Sequence, residues 1–268
     1  MKITSKKRRQ QTALITGASG GIGYEFAKLF ASDGYDLVLV DRQGQKLADT
    51  IDELEKKYGI FVKPLVKDLS RSTAPDEIYT ELKQASIKVD VLVNNAGFGT
   101  HGFFYETNLN TELDMIQVNA VCVTHLTKLF LNDMVRQGSG KILNIASVAA
   151  FQAGPLMAVY FATKAYVLSF SEAIANELEG TGVTVTVLCP GPTASGFQKA
   201  AAMEKTKIAN PWGMMDSATV AKIGYLGLMA NKTVVIPGAK NKILATSVRF
   251  AARKLVTKIV RDLHEIRK

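Results

Sequence analysis

Apolar residues recur along the chain in two alternating patterns. Short continuous apolar runs predict strands over residues 11–16, 35–40, 61–66, 89–93, 141–146, 183–188 and 233–236. Apolar residues spaced three and four positions apart predict helices over 24–32, 45–58, 74–85, 112–136, 160–178 and 217–229. Strands that are apolar on both faces and alternate with helices are typical of a parallel sheet covered on both sides. With right-handed crossovers, this pattern predicts one doubly wound α/β domain, a Rossmann fold, over residues 11–239.

The two ends of the chain differ from this body in charge. The 268 residues carry a net charge of +9, but residues 1–9 hold five Lys or Arg and no acid. Residues 240–268 hold nine basic and two acidic residues, which leaves the remaining body at −3. We therefore treat residues 1–10 as a basic arm. A net acidic body lacks the spread basic surface of a nucleic-acid-binding fold, so no nucleic-acid partner is expected.

The basic C-terminal segment, 240–268, is predicted to form one amphipathic helix over 241–266. Its apolar face is formed by Leu244, Val248, Ala252, Leu255, Ile259, Leu263 and Ile266. Three interpretations are open at this point. The helix packs on its own domain or a second subunit, or it lies on an anionic membrane surface. The third is binding to an acidic partner such as an acyl carrier protein.

Cysteine and histidine usage argues against a metal site. Cys122 and Cys189 lie in separate apolar runs without a CxxC pair, and the three histidines are scattered. We therefore expect neither a metal nor a disulfide, which suits a reducing compartment. No apolar run reaches the roughly 18 residues of a spanning helix, and no apolar stretch follows the N-terminal charges. These features predict a cytoplasmic protein, with a peripheral membrane contact as the further option.

A glycine-rich loop follows the first predicted strand. It runs G-x-x-x-G-x-G from Gly17 through Ser19, Gly20, Gly21 and Ile22 to Gly23. Glycines permit close backbone approach, and the next helix offers free N–H groups and a positive dipole end to a phosphate. The loop therefore predicts a dinucleotide site, although the same spacing also occurs in plain tight turns.

Two neighbouring residues at the end of the second predicted strand point to different dinucleotides. An acid placed like Asp41 binds the adenosine ribose hydroxyls in dinucleotide folds, although an Asp here also serves as a helix N-cap. An arginine placed like Arg42 pairs instead with a 2′-phosphate.

Three residues near the fifth predicted strand suggest proton-transfer chemistry. Tyr160 and Lys164 are four residues apart at the start of a helix and share one face. A nearby ammonium favours the tyrosinate and lowers a tyrosine pKa, which suits acid/base exchange with a carbonyl or alcohol. Ser147 ends the preceding strand, where its hydroxyl can hold a substrate oxygen.

Together these motifs resemble the short-chain dehydrogenase/reductase family over residues 11–238. Thr16 to Gly23 is similar to the family's cofactor loop, Asp68 to its adenine-contacting acid, and Asn94–Gly97 to its NNAG motif. The resemblance implies a catalytic tetrad of Asn119, Ser147, Tyr160 and Lys164. It also implies a cofactor site formed by Gly17, Ser19, Gly20, Gly21, Ile22, Gly23, Asp41, Arg42, Asp68, Leu69, Asn95, Ala96, Gly97, Tyr160, Lys164, Pro190, Gly191 and Thr193.

The resemblance further implies hydride transfer between a nicotinamide and a carbonyl carbon. Tyr160 is then the acid/base, Lys164 lowers its pKa, Ser147 steadies the substrate oxygen, and Asn119 supports a proton relay. Within the family a carboxylate at Asp41 favours NAD, with NADP as the alternative through Arg42. Members are mostly dimers or tetramers, so a homo-oligomer is expected. The alternative function, a cofactor-binding regulatory protein, tends to lose Tyr160 or Lys164, and both are present.

The predicted substrate pocket is apolar. Residues 192–215 follow the nicotinamide segment and favour either a lid over an apolar substrate or a loop packed on the core. Their large apolar residues are Phe197, Met203, Ile208, Trp212, Met214 and Met215. The expected substrate is a lipid-, acyl- or steroid-like carbonyl or alcohol. The pocket residues predicted are Phe98, Ser147, Phe151, Met157, Phe197 and Trp212.

Overall fold

One seven-stranded parallel sheet forms the centre of the molecule. The computed structural model describes residues 10–197, 201, 206–207 and 214–265. Its strands are β1 (Thr12–Thr16), β2 (Asp36–Asp41), β3 (Val62–Val66), β4 (Val91–Asn94), β5 (Gly140–Ile145), β6 (Val183–Leu188) and β9 (Val234–Val235). Their order is β3-β2-β1-β4-β5-β6-β9, with every pair parallel. This order confirms the predicted doubly wound Rossmann fold.

Helices cover both faces of this sheet. They are α1 (Gly21–Ser32), α2 (Gly44–Tyr58), α3 (Ala74–Gln84), α4 (Leu109–Ile116), α5 (Cys122–Gln137), α6 (Ala158–Glu177), α7 (Ser217–Met229), α8 (Ala239–Ser247) and α9 (Arg253–His264). A π-helical turn, Gln117–Val121, joins α4 to α5. A short parallel pair, β7 (Thr193–Ala194) and β8 (Met215–Asp216), lies outside the main sheet.

Alternate residues of each strand supply two separate apolar cores. On one face Ile15 and Leu39 pack with α1, α2 and α7. On the other face Leu14 and Val38 pack with side chains from α3, α5 and the end of α6. A strand that is buried on both sides reads as a continuous apolar run, which is why the sequence pattern located these strands.

The C-terminal segment differs from the prediction of one continuous helix. It forms two helices, α8 and α9, separated at residues 248–252. Ala252 has an extended backbone (φ −61°, ψ 127°) and begins a new helix, so the helical repeat does not continue across it. Leu244 and Leu255 therefore lie on different helices rather than on one stripe. No helix in the described ranges is both long and apolar enough to cross a bilayer.

We predict that Phe30→Ala strongly destabilises the fold. Phe30 is fully buried, and its ring meets those of Tyr35 and Tyr225 edge-on at centroid distances of 5.2 and 4.9 Å. Truncation leaves a cavity, and the free energy of unfolding should fall by about 3–5 kcal/mol in urea titrations. Phe250→Ala is the control, because Phe250 is 87% exposed and should change stability by less than about 0.5 kcal/mol. Equal effects of the two variants would contradict this packing.

Candidate active site

The glycine loop forms a tight turn between β1 and α1. Gly17 and Gly21 adopt φ of 65° and 53°, a region that favours glycine. A Cβ on Gly23 would lie 2.2 Å from the Gly17 carbonyl oxygen, so no larger residue fits there. The Asn95 side-chain amide donates to the carbonyls of Thr16 and Gly17 at 2.9 and 3.1 Å, which ties the turn to the end of β4.

A cavity of about 500 Å³ runs across the carboxyl ends of the strands from this turn. It reaches every predicted cofactor residue except Gly23. Gly23 was expected to contact the cofactor, but it lies beneath the turn, where its lack of a side chain allows α1 to approach β1. No side chain caps α1 at Gly20, so its first N–H groups are left for a ligand. The residues present therefore fit a dinucleotide phosphate group.

Asp41 lies at the end of the cavity next to the glycine turn, and protein donors form hydrogen bonds with its carboxylate. The Ser19 main-chain N–H and hydroxyl donate to Oδ2 at 3.1 and 2.7 Å. The Gln43 N–H donates to Oδ1 at 3.0 Å. Asp41 therefore fastens the glycine turn to the end of β2.

A second acid, Asp68, lies nearby in the same cavity. It accepts from the Ser70 N–H and hydroxyl, and these hydrogen bonds hold the pKa of Asp68 below its usual range. The charges of Arg42 and Arg71 lower that pKa further. This end of the cavity thus contains both carboxylates and cations.

Tyr160 and Lys164 lie one turn apart on α6 and both face the cavity. Lys164 is buried, and its Nζ donates to the Ile145 carbonyl at 2.9 Å. The same Nζ lies 5.7 Å from the centre of the Tyr160 ring. The α6 helix therefore places a phenol and an ammonium group side by side at the end of β5.

Burial moves the pKa values of this pair in opposite directions. It raises the pKa of Tyr160 to about 12, and a hydrogen bond with Ser147 opposes that rise only in part. Burial lowers the pKa of Lys164 to about 8, opposed by the nearby Cys189 thiol. Burial is the larger cause at Tyr160, and Ser147 is the opposing one. The role of Lys164 in lowering the Tyr160 pKa stays a prediction. Tyr160 is protonated at neutral pH and can donate a proton.

Ser147 faces the cavity from the start of a short 3₁₀ turn, Val148–Phe151. Its Oγ accepts from the Ala149 N–H at 3.1 Å and donates to the Pro190 carbonyl at 3.3 Å. These bonds hold the hydroxyl beside Tyr160, as predicted from its position after β5.

Asn119 lies in the π-helical turn, one layer behind the cavity surface. Its side chain accepts from the Phe98 N–H at 3.1 Å and donates to the Phe98 carbonyl at 2.9 Å. A Cβ on Gly97 would lie 3.0 Å from Asn119 Oδ1 and 3.4 Å from Lys164 Nζ. Gly97 therefore lets Asn119 and Lys164 approach each other. A π turn inside a helix is common at functional sites.

The other end of the cavity is apolar. Phe98, Met157 and Phe197 line it as predicted, and the Phe197 ring lies 5.1 Å from that of Tyr160. Phe151 was predicted there but instead packs into a core cluster with Ala146 and Val167, because it ends the 3₁₀ turn pointing away from the cavity. Trp212 lies outside the described residues.

Sequence analysis missed the part of the wall that α9 supplies. Val260, Leu263 and His264 line the cavity with Phe161 of α6. His264 is buried against the Phe161 ring, and the His101 imidazole Nε2 is 2.7 Å from the His264 carbonyl oxygen. The basic, amphipathic sequence of this segment does not predict a pocket wall. That role depends on how α9 packs against α6 in the folded protein.

Sequence comparison relates this chain to known dehydrogenases and reductases. The family model for short chain dehydrogenase matches residues 11–206. A very-long-chain 3-oxoacyl-CoA reductase of Pyrenophora tritici-repentis is 36% identical over 234 residues, 84% of this chain and 67% of that protein.

Two solved structures share the whole architecture. A short-chain dehydrogenase from Sphingobium yanoikuyae in complex with NADPH has a TM-score of 0.81 and 30% identity, covering 92% of this chain and 95% of that one. One from Burkholderia phymatum in complex with NAD has a TM-score of 0.80 and 28% identity, covering 97% and 98%. A nicotinamide cofactor is thus supported, and the two neighbours hold different forms of it.

The family match spans the glycine turn, the NNAG segment and the Tyr160–Lys164 pair, and these are the groups that meet in the cavity. The chain belongs to the short-chain dehydrogenase/reductase family, whose members are nicotinamide-dependent oxidoreductases that interconvert a carbonyl group and an alcohol.

Proposed function

We propose that this chain reduces the ketone of a long apolar substrate, of the acyl or similar lipid class, to a secondary alcohol. The supporting observation is the cavity itself. Its polar centre, formed by Ser147, Tyr160 and Lys164, opens directly onto an apolar end lined by Met157 and Phe161 among others. The Pyrenophora relative is named for a very-long-chain 3-oxoacyl substrate, which is of the same class.

Each residue of the polar centre has a role in this proposal. A bound nicotinamide supplies the hydride when the carbonyl carbon lies beside it. Ser147 holds the carbonyl oxygen, and Tyr160 donates its phenolic proton to that oxygen as the alcohol forms. The Lys164 ammonium stabilises the tyrosinate that remains. Asn119 is a positioning residue that fixes Phe98 and the nearby NNAG segment.

The phosphorylated form, NADP(H), is proposed as the preferred cofactor. The expectation of NAD depended on Asp41 accepting the ribose hydroxyls. Three protein hydrogen bonds already reach that carboxylate. Arg42, beside it, is exposed and lines the same end of the cavity, where its guanidinium suits a phosphate.

A homo-oligomer is also proposed, through the outer surface of α4, α5 and α6. Leu113, Val121 and Tyr166 are exposed there. A hydrogen bond between the hydroxyls of Thr124 and Tyr166, 2.8 Å long, joins α5 to α6, so Val121 and Tyr166 lie on one surface. Exposed apolar patches of this kind favour subunit contact.

The C-terminal helices are proposed to bind an anionic membrane surface. Leu255, Ile259 and Leu263 form an exposed stripe along α9, each between 41% and 55% exposed. Leu263 also lines the cavity, so this stripe is continuous with the substrate pocket. The segment that carries these two helices also has exposed cations, namely Lys240, Lys242, Arg249, Arg253, Lys254, Lys258 and Arg261. An apolar stripe on a segment with exposed cations suits the interface of an anionic bilayer.

We predict that Tyr160→Phe lowers kcat for ketone reduction at least about 100-fold, the usual contribution of a general acid. The substrate for this test is a long-chain 3-oxoacyl thioester with NADPH, followed by NADPH absorbance. The dissociation constant of NADPH should stay nearly unchanged. Tyr105→Phe is the matched control, because Tyr105 is 80% exposed and lies outside the cavity lining. Near-normal kcat in Tyr160→Phe would overturn the proposed chemistry.

We predict that kcat/KM for reduction falls when the pH rises above the pKa of Lys164. With that pKa near 8, raising the pH further removes the ammonium that stabilises the Tyr160 anion. Tyr160, with a pKa of about 12, keeps its proton throughout this range. We expect kcat/KM to be level between about pH 6 and 7 and to decline above about pH 8. A level profile to about pH 10 would contradict the role of Lys164.

Membrane binding is tested by co-sedimentation of the full chain with lipid vesicles. We expect binding to phosphatidylglycerol vesicles, little binding to phosphatidylcholine vesicles, and weakening by salt. Ile259→Glu should reduce binding, because it places a carboxylate on the stripe. Leu226→Glu is the control, since Leu226 is about equally exposed on α7, which belongs to neither proposed surface. Absence of binding by the unmodified chain at low salt, or equal loss in both variants, would remove this proposal.

A further inference from the structure

A lysine from α2 reaches over the glycine turn. Lys46 belongs to the first turn of α2, and its Nζ lies 2.9 Å from the position that a Cβ on Gly20 would occupy. Lys46 also lines the cavity. The ammonium group therefore lies directly over the glycine turn, where Ser19 and Gly20 supply no charge themselves.

We propose that Lys46 binds the 2′-phosphate of NADP(H) and sets the preference for it over NAD(H). This inference deepens the proposed cofactor choice and depends on it. A phosphate monoester carries close to two negative charges at neutral pH, and a flexible lysine binds it as a point charge. Arg42 provides the planar guanidinium on the neighbouring side of the same cavity.

The cations at this end of the cavity differ in the carboxylates near them. The charge of Arg42 acts on the Asp68 carboxyl, whose pKa it helps to lower. Lys67, the other cation in this part of the cavity wall, pairs with Glu77 and Glu81 at 3.2 and 3.6 Å. Among the described residues, Lys46 forms no ion pair with a carboxylate. Its charge is therefore available to an incoming anion, beside that of Arg42.

The Asp41 carboxylate also lines this end of the cavity, but its hydrogen bonds reduce its repulsion of a phosphate beside Lys46. Its oxygens point toward the N–H groups of Ser19 and Gln43 and the Ser19 hydroxyl. Those donors offset the negative charge that would repel a phosphate. The hydrogen bonds from Ser19 to Asp41 also hold the glycine turn in place beneath the Lys46 ammonium group, which lies over Gly20.

Binding of cofactor fragments to the full chain, measured by calorimetry, tests this assignment. The probes are 2′,5′-ADP and 5′-AMP, which differ only by the 2′-phosphate, together with NADP⁺ and NAD⁺. Lys46→Ala should weaken 2′,5′-ADP and NADP⁺ about tenfold, as expected for a charge-assisted contact. It should leave 5′-AMP and NAD⁺ within about twofold, and Lys46→Arg should retain most of the preference. Lys56→Ala is the matched control, an exposed lysine of the same helix outside the cavity lining.

The outcomes separate this inference from the cofactor choice on which it depends. Equal binding of 2′,5′-ADP and 5′-AMP by the unmodified chain overturns both. Preference for 2′,5′-ADP that survives Lys46→Ala overturns the role of Lys46 and leaves NADP(H) to Arg42. Equal weakening of both fragments in Lys46→Ala, or loss of preference in Lys56→Ala, shows a general effect of structure or charge and also overturns it.

Discussion

Lys164 is only 5% exposed, and its ammonium group is bonded to the Ile145 carbonyl at the end of β5. A buried charge costs several kcal/mol unless its hydrogen bonds are satisfied. The hydrogen bond from Lys164 to Ile145 therefore fixes the position of α6 along the sheet, relative to the carboxyl ends of the strands. It also fixes Tyr160, one turn earlier on the same helix, and so the point in the cavity at which a proton is available.

The neighbouring elements are arranged around the same buried group. A Cβ on Gly97, at the end of the NNAG segment, would press closely on Asn119 Oδ1 and approach Lys164 Nζ. Asn119 in turn holds Phe98 through both its amide atoms. The π turn that carries Asn119 interrupts a helix, an arrangement that persists when the surrounding contacts compensate for it. A change in any one of these residues would therefore shift the others.

The local sequence pattern was sufficient to predict most strands and helices and the residues of the polar centre. The central strands were predicted because they are buried on two faces. The glycine turn was predicted because its geometry excludes other residues at Gly23. Contacts between distant segments were not found. The bonds from Ser19 to Asp41 and the reach of Lys46 over Gly20 depend on how α2 packs beside the turn. The closure of the pocket by α9 depends on a break at Ala252 that no periodic pattern marks.

The last helix has two apolar surfaces with different neighbours. Val260 and His264 face inward against Phe161, whereas Leu255 and Ile259 face outward. Leu263 lies between the two sets, exposed in part and yet lining the cavity. Because α9 carries both surfaces, a movement of this helix changes the width of the pocket and the apolar outer surface together. The apolar outer stripe and the apolar end of the cavity therefore meet at Leu263, and a substitution there would change both surfaces at once.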